Sequence, residues 1–241
     1  MNRRSTEILI VMPVFNEQAS LRKVVTEWFS EWFSELERCV GKFVILAIDD
    51  GSTDETLENL KALQGELGAR LEWISRENRG HGQTCIQGYR IALERKIPYI
   101  FQIDSDGQSD PQYFHHFWER REQFDVIYGK RNRQDGFRRV VASLILRYTL
   151  RVLAKVDCVD ANVPYRLMDT EACGEAIRRI PSEINLANIA LAVCLKRDPK
   201  IRHGHIPIGF PPRHGGEASV PFSKFAVKAS ELFRQLKKMD R

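Results

Sequence analysis

Two aspartates one residue apart, Asp104 and Asp106, sit in the stretch FQIDSDGQSDP over residues 101–111. Like charges this close repel unless a cation lies between them. The amide of Gln108 follows two residues on, so the loop offers three hard oxygen donors. Such a set suits Mg²⁺ or Mn²⁺, ions that keep several waters and complete their shell on substrate phosphates. The chemistry this predicts is a divalent ion clamping a diphosphate.

Three other turns carry polar residues after apolar runs. PVFNE follows ILIVMPV (8–14), DDGSTDET follows FVILAID (43–49), and NRGHGQ follows LEWIS (71–75). The unbroken apolar runs have the character of strands covered on both faces. Leu21, Val24, Val25, Trp28, Phe29, Trp32, Phe33 and Leu36 recur at three and four, which predicts a helix over 19–37. Ser52 with Glu55 three later reads as a capping box, placing a helix start near Asp54. A further helix is expected from the NRGHGQ turn to about Arg95, then strands at 99–104 and 125–129. Strand and helix alternating with short turns gives an α/β chain with a mostly parallel open sheet. Ligands of such sheets lie outside the carboxyl ends of the strands, where all four polar turns fall.

Asp49 and Asp50 offer acceptors for a base or ribose, or cap the next helix. Gly80 and Gly82 supply phosphate-binding amides at a helix start, or simply permit a tight turn. After Gly136 a helix is expected over 138–156, with Val141, Leu144, Ile145, Tyr148 and Val152 on one face and Arg147, Arg151 and Lys155 as a basic stripe. Another is expected over 181–197, and an amphipathic basic helix over the tail, 221–241. Residues 205–220 read as a Pro- and Gly-rich loop after a short strand.

With 43% hydrophobic and 29% charged residues, 241 residues can bury a full core, which excludes a disordered chain. The net charge of +5 suits an anionic partner without choosing one. Five scattered cysteines without a C-x-x-C pair argue against a disulfide framework or zinc site and fit a reducing, cytoplasmic setting. No segment reaches the roughly 18 apolar residues of a membrane span, so any membrane contact is expected at the surface. The basic start before ILIVMPVF reads as a first strand rather than a signal peptide. No nucleic-acid readout motif is present.

VMPVFNE, AIDDGSTDET, ENRGHGQTCIQGYRIAL and IDSDGQSDP, in this order, resemble the nucleotide-sugar-binding half of family-2 inverting glycosyltransferases. The branch most similar is that of the dolichol- or polyprenyl-phosphate hexose synthases, with Asp106-Gly107-Gln108 and Gly129-Lys130-Arg131 as its marks. The resemblance implies a GT-A fold, Rossmann-like over 1–131, with an acceptor half over 132–220. It implies that Pro13, Phe15, Glu17, Asp49, Asp50, Gly80, Asp104, Ser105 and Gln108 meet the nucleotide sugar. Asp104, Asp106 and Gln108 would hold Mg²⁺ or Mn²⁺, and Arg131 and Arg213 would meet the phosphates. DANVPYRL (160–167) lies where that branch has a turn, and Asp160 stands as a base or acceptor-side ligand. Pro164 and the Glu217-Ala218 pair depart from the pattern.

Phosphate acceptors are already anionic and need no base, whereas a sugar hydroxyl does. Hydroxyl-glycosylating relatives carry a Glu-Asp pair where this chain has Glu183-Ile184. The expected reaction is therefore hexose transfer from a UDP- or GDP-sugar to a lipid phosphate at a membrane surface, with a membrane subunit or a second copy as further partners. The alternatives are a polysaccharide or glycoprotein hydroxyl as acceptor, and a nucleotide-binding regulator without turnover.

Overall fold

The structure is a computed structural model that describes residues 7–30, 40–131, 148, 151–152, 154–158, 163–181 and 186–209. Within these, one seven-stranded sheet carries the chain. Its strands are β1 (Glu7–Val14), β2 (Lys42–Asp49), β3 (Leu71–Ser75), β4 (Tyr99–Ile103), β5 (Val126–Arg131), β6 (Tyr165–Asp169) and β7 (His203–Ile208). They lie in the order β3-β2-β1-β4-β6-β5-β7. β1 pairs in parallel with β2 and β4, and β2 with β3, while β6 runs antiparallel between β4 and β5. The order reverses direction on either side of β1, which opens a crevice at the carboxyl ends.

The helices are α1 (Leu21–Ser30), α2 (Thr56–Leu67), α3 (His81–Glu94), α4 (Phe114–Glu119), α5 (Gly174–Arg179) and α6 (Ala187–Arg197). β1 from Ile8 onward and all of β4 are buried, as their apolar runs require of strands covered on both faces. Beneath β4, Phe101 stands edge-on to Tyr165 at 4.8 Å and to Phe114 at 4.9 Å, and Trp28 of α1 leans on the same ring at 5.7 Å. α3 crosses β1 very closely. A Cβ on Gly88 would stand 2.3 Å from Val11 Cγ1, so only glycine lets this helix reach the sheet.

Three sequence expectations change. The 160–167 segment read as a turn contains the start of β6, a central strand whose pattern is interrupted by Arg166, a guanidinium with no solvent exposure lying over the Tyr128 ring at 5.4 Å. Hydrophobic periodicity does not find a strand with an arginine at its middle. The capping box does not form: Ser52 Oγ accepts from Asn16 N and Glu55 N donates to Gln18 Oε1 of the neighbouring loop, while Asp54 Oδ1 accepts from Thr56 N at the start of α2. A tertiary partner outcompetes the local one. Lys155 has φ 55° and is not helical, so the helix expected over 138–156 does not run through it. Most of that helix, residues 182–185 and the 221–241 tail lie outside the described residues.

Candidate active site

The rim at the carboxyl ends of β1, β2, β3 and β4 is built by loops that bond to one another more than to themselves. After β1, Asn16 takes a left-handed backbone (φ 51°), which Asn tolerates better than most residues. Its N donates to Ser52 Oγ at 2.9 Å and its Oδ1 accepts from Thr53 N at 2.8 Å. Glu17 N donates to Thr56 Oγ1 at 2.9 Å, and Gln18 N to Asp54 Oδ2 at 3.2 Å. The first and second loops are thus one unit.

Asp49 and Asp50 hold the second loop to the third. Asp49 is 1% exposed; its Oδ2 accepts from Ser75 Oγ at 2.7 Å and its Oδ1 from Ser52 N at 3.1 Å. Asp50, 3% exposed, accepts from Arg79 N at 2.9 Å and Gly80 N at 2.8 Å, and pairs with Arg76 Nη2 at 3.0 Å. Burial lowers the Arg76 pKa more than Asp50 raises it, so this cation is desolvated and depends on its partner. Gly80 turns into α3 at φ 89°, a conformation open to glycine.

The fourth loop behaves differently. Its frame is pinned from below: Asp104 N donates to Ser109 Oγ at 3.0 Å, Trp28 Nε1 to Ser109 O at 3.1 Å, and Ser105 Oγ to Pro13 O at 2.9 Å. Ser105 and Ser109 are buried, whereas Asp104, Asp106 and Gln108 stay partly exposed. Asp106 Oδ1 accepts from Gln108 N at 3.1 Å across a turn in which Gly107 has φ 81°. Asp104 Oδ1 meets the imidazole Nε2 of His81 at 2.9 Å. Partial withdrawal of the ring from water pulls the His81 pKa down, but Cys85 and Asp104 push it up and prevail, leaving it well above the ordinary imidazole value. Two carboxylates and an amide, half-open on a fixed loop, fit a hard divalent ion as donors.

The other sequence-derived residues fall around this point. Phe15 is 46% exposed on the rim, while Pro13 is buried and Glu17, 7% exposed, turns its carboxylate inward to Ser20 Oγ at 2.5 Å. Ser20 Oγ also lies 3.1 Å from Ser105 O, so its single proton is shared between the Glu17 carboxylate and the fourth loop, and Glu17 faces inward rather than to solvent. Arg131 ends β5, which runs parallel to β4 with β6 between them. It therefore stands on the same rim, roughly 10 Å across by strand spacing. Asp160 and Arg213 lie outside the described residues. The contact of His81 with Asp104 was missed in the sequence. Its signal was an imidazole between two glycines at the start of a helix facing the paired carboxylates.

A mixed sheet with helices on both faces and a carboxylate pair at the end of its central parallel strand is the GT-A glycosyltransferase architecture. Solved structures agree: glucosyl-3-phosphoglycerate synthase from Mycobacterium tuberculosis, determined with Mn²⁺, uridine-diphosphate-glucose and phosphoglyceric acid, superposes with TM-score 0.65 at 17% identity, covering 97% of this chain and 79% of that one. Residues 9–173 match glycosyl transferase family 2, and the chain belongs to that family. Among relatives, a dodecaprenyl-phosphate galacturonate synthase of Rhizobium johnstonii is 30% identical over 190 residues, 74% of this chain and 54% of its own length. The dolichol-phosphate mannosyltransferase of Saccharomyces cerevisiae is 23% identical over 231 residues, 90% of this chain and 82% of its own. The chain spans about half the length of the first of these relatives.

Proposed function

We propose that this chain transfers a hexose, with inversion, from a UDP- or GDP-sugar to a polyprenyl phosphate at a membrane surface. The observation that carries the reading is the half-open Asp104-Ser105-Asp106 loop at the centre of a rim of interlocked turns, in a chain whose relatives include polyprenyl-phosphate sugar transferases.

In this reading Phe15 is the exposed ring that meets the nucleoside, and Pro13, Glu17, Asp49, Asp50 and Gly80 shape the loops around it. Asp104, Asp106 and Gln108 hold Mg²⁺ or Mn²⁺, which when bound offsets the charge growing on the diphosphate as it leaves. Arg131, across the rim, and Arg213 bring cationic donors to the donor and acceptor phosphates. The acceptor phosphate attacks the anomeric carbon from the face opposite the diphosphate, and being anionic needs no proton removed. Asp160 then serves as an acceptor-side ligand. Among the described residues no helix is long and apolar enough to cross a membrane. Tyr148 and Val152, 71% and 55% exposed beside an exposed Arg151, support contact with a bilayer interface, which this reading places on the cytoplasmic side by proposal alone.

The test is incubation of the protein with radiolabelled UDP- or GDP-hexose, Mn²⁺ and polyprenyl phosphate. Label passing into organic solvent, lost with EDTA and in Asp106→Ala, is expected. Label left in water, with none extractable, or turnover unaffected by EDTA, would refute the lipid acceptor or the metal respectively.

A further inference from the structure

His81 is held more tightly than a surface histidine has reason to be. Asp50 fixes the backbone on its N-terminal side through Arg79 N and Gly80 N, at 2.9 and 2.8 Å. Both ring nitrogens then have partners: Nε2 lies 2.9 Å from Asp104 Oδ1, and Nδ1 lies 3.9 Å from Sγ of Cys85, one helical turn on and fully buried. A residue at the first position of α3 therefore reaches across to the end of β4 with its ring plane fixed at two points. An ordinary exposed ion pair is worth little and orders little. This one fixes a carboxylate that the reading above gives to a metal.

We infer that His81 is a positioning residue for the divalent ion: by holding Oδ1 of Asp104 it sets the plane of a carboxylate that would hold the ion. The inference rests on the reading that Asp104 and Asp106 bind the metal. The chemistry is that of a carboxylate ligand oriented by an outer hydrogen bond, whose loss typically weakens metal binding about 10- to 100-fold. A donor at Nε2 lowers the freedom of the Asp104 side chain to rotate and so reduces the entropy lost when the ion arrives. Cys85 enters by steadying the ring at Nδ1, deep in α3 where solvent does not reach.

The test is Mn²⁺ binding to the full-length protein, followed by the EPR signal of the free ion, for wild type, His81→Leu, His81→Gln and Asp104→Ala. The expected result is affinity reduced by about tenfold or more in His81→Leu, with a melting temperature near wild type because the side chain is 45% exposed. His81→Gln, which keeps a donor, is expected to recover much of the affinity, and a general loss of packing would not respond to this exchange. Wild-type affinity in His81→Leu would overturn the inference. So would strong directly bonded nitrogen coupling in the pulsed EPR spectrum of the wild-type complex, which would make the imidazole a ligand itself. If wild type takes up Mn²⁺ no better than Asp104→Ala does, the metal reading beneath the inference fails instead, so the two failures are distinct.

Discussion

Two pairs of aspartates end two neighbouring parts of one sheet and do opposite things. Asp49 and Asp50, at the end of β2, are 1% and 3% exposed and bonded to main-chain amides, a hydroxyl and a guanidinium. Asp104 and Asp106, after β4, stay partly open, with a turn amide on one and an imidazole on the other. The difference is one of neighbours rather than of residue type. β2 is flanked on both sides by loops rich in donors, and these saturate its carboxylates. β4 is followed by a loop fixed through serines and a tryptophan, and its carboxylates stay partly exposed at the surface of the rim.

The comparison breaks most visibly if the first pair is dispensable. Asp50→Ala removes the acceptor of two backbone amides and strands the desolvated Arg76, a loss of about 3–5 kcal/mol. For a domain of this size that lowers the melting temperature on the order of 10 °C. Asp104→Ala should melt close to wild type by the same thermal scan, and the reverse ranking would invert the comparison. Gly88→Ala tests the frame beneath both pairs. Its methyl meets Val11 at 2.3 Å, so α3 must lift from β1 at a cost of about 1–3 kcal/mol, read by urea unfolding. Trp28→Phe keeps the aromatic packing but deletes the donor to Ser109 O, costing about 1 kcal/mol. It should raise the KM for donor more than it lowers stability.

A further effect lies far from the rim and shows only as pH is lowered. His203 on β7 is held to a pKa of about 4, chiefly by burial and then by Lys196 and His205, against Leu195 O and Asp125. The unfolded imidazole takes a proton near pH 6.5 and the folded one does not until about pH 4, so stability falls as pH drops through that window. His203→Gln should flatten that part of the stability profile while leaving metal binding unchanged.

The parallel half of the sheet was legible because its information is local. Each strand there is an apolar run closed by a polar turn, and the four turns are short enough to read one at a time. The roles inside those turns were less legible, since Asp49-Asp50 and Asp104-Asp106 look alike until the partners of Ser52, Ser75 and Arg76 are known. The same holds for Glu17, whose carboxylate faces inward to Ser20. β6 escaped detection for another reason. A buried arginine breaks the apolar pattern, and its environment is supplied by Tyr128 on a different strand. Where a residue's role depends on partners far along the chain, as with His81 and Asp104, residue type and spacing do not fix it.

The most direct test is a crystal grown with Mn²⁺ and a nucleoside diphosphate, read by anomalous diffraction at the manganese edge. The account predicts one peak at bonding distance from the carboxylates of Asp104 and Asp106, with Asp49 and Asp50 still bonded to Ser75 and Gly80. A peak seated on Asp49 and Asp50, or a nucleotide bound with Asp104 and Asp106 turned away from it, would contradict the account.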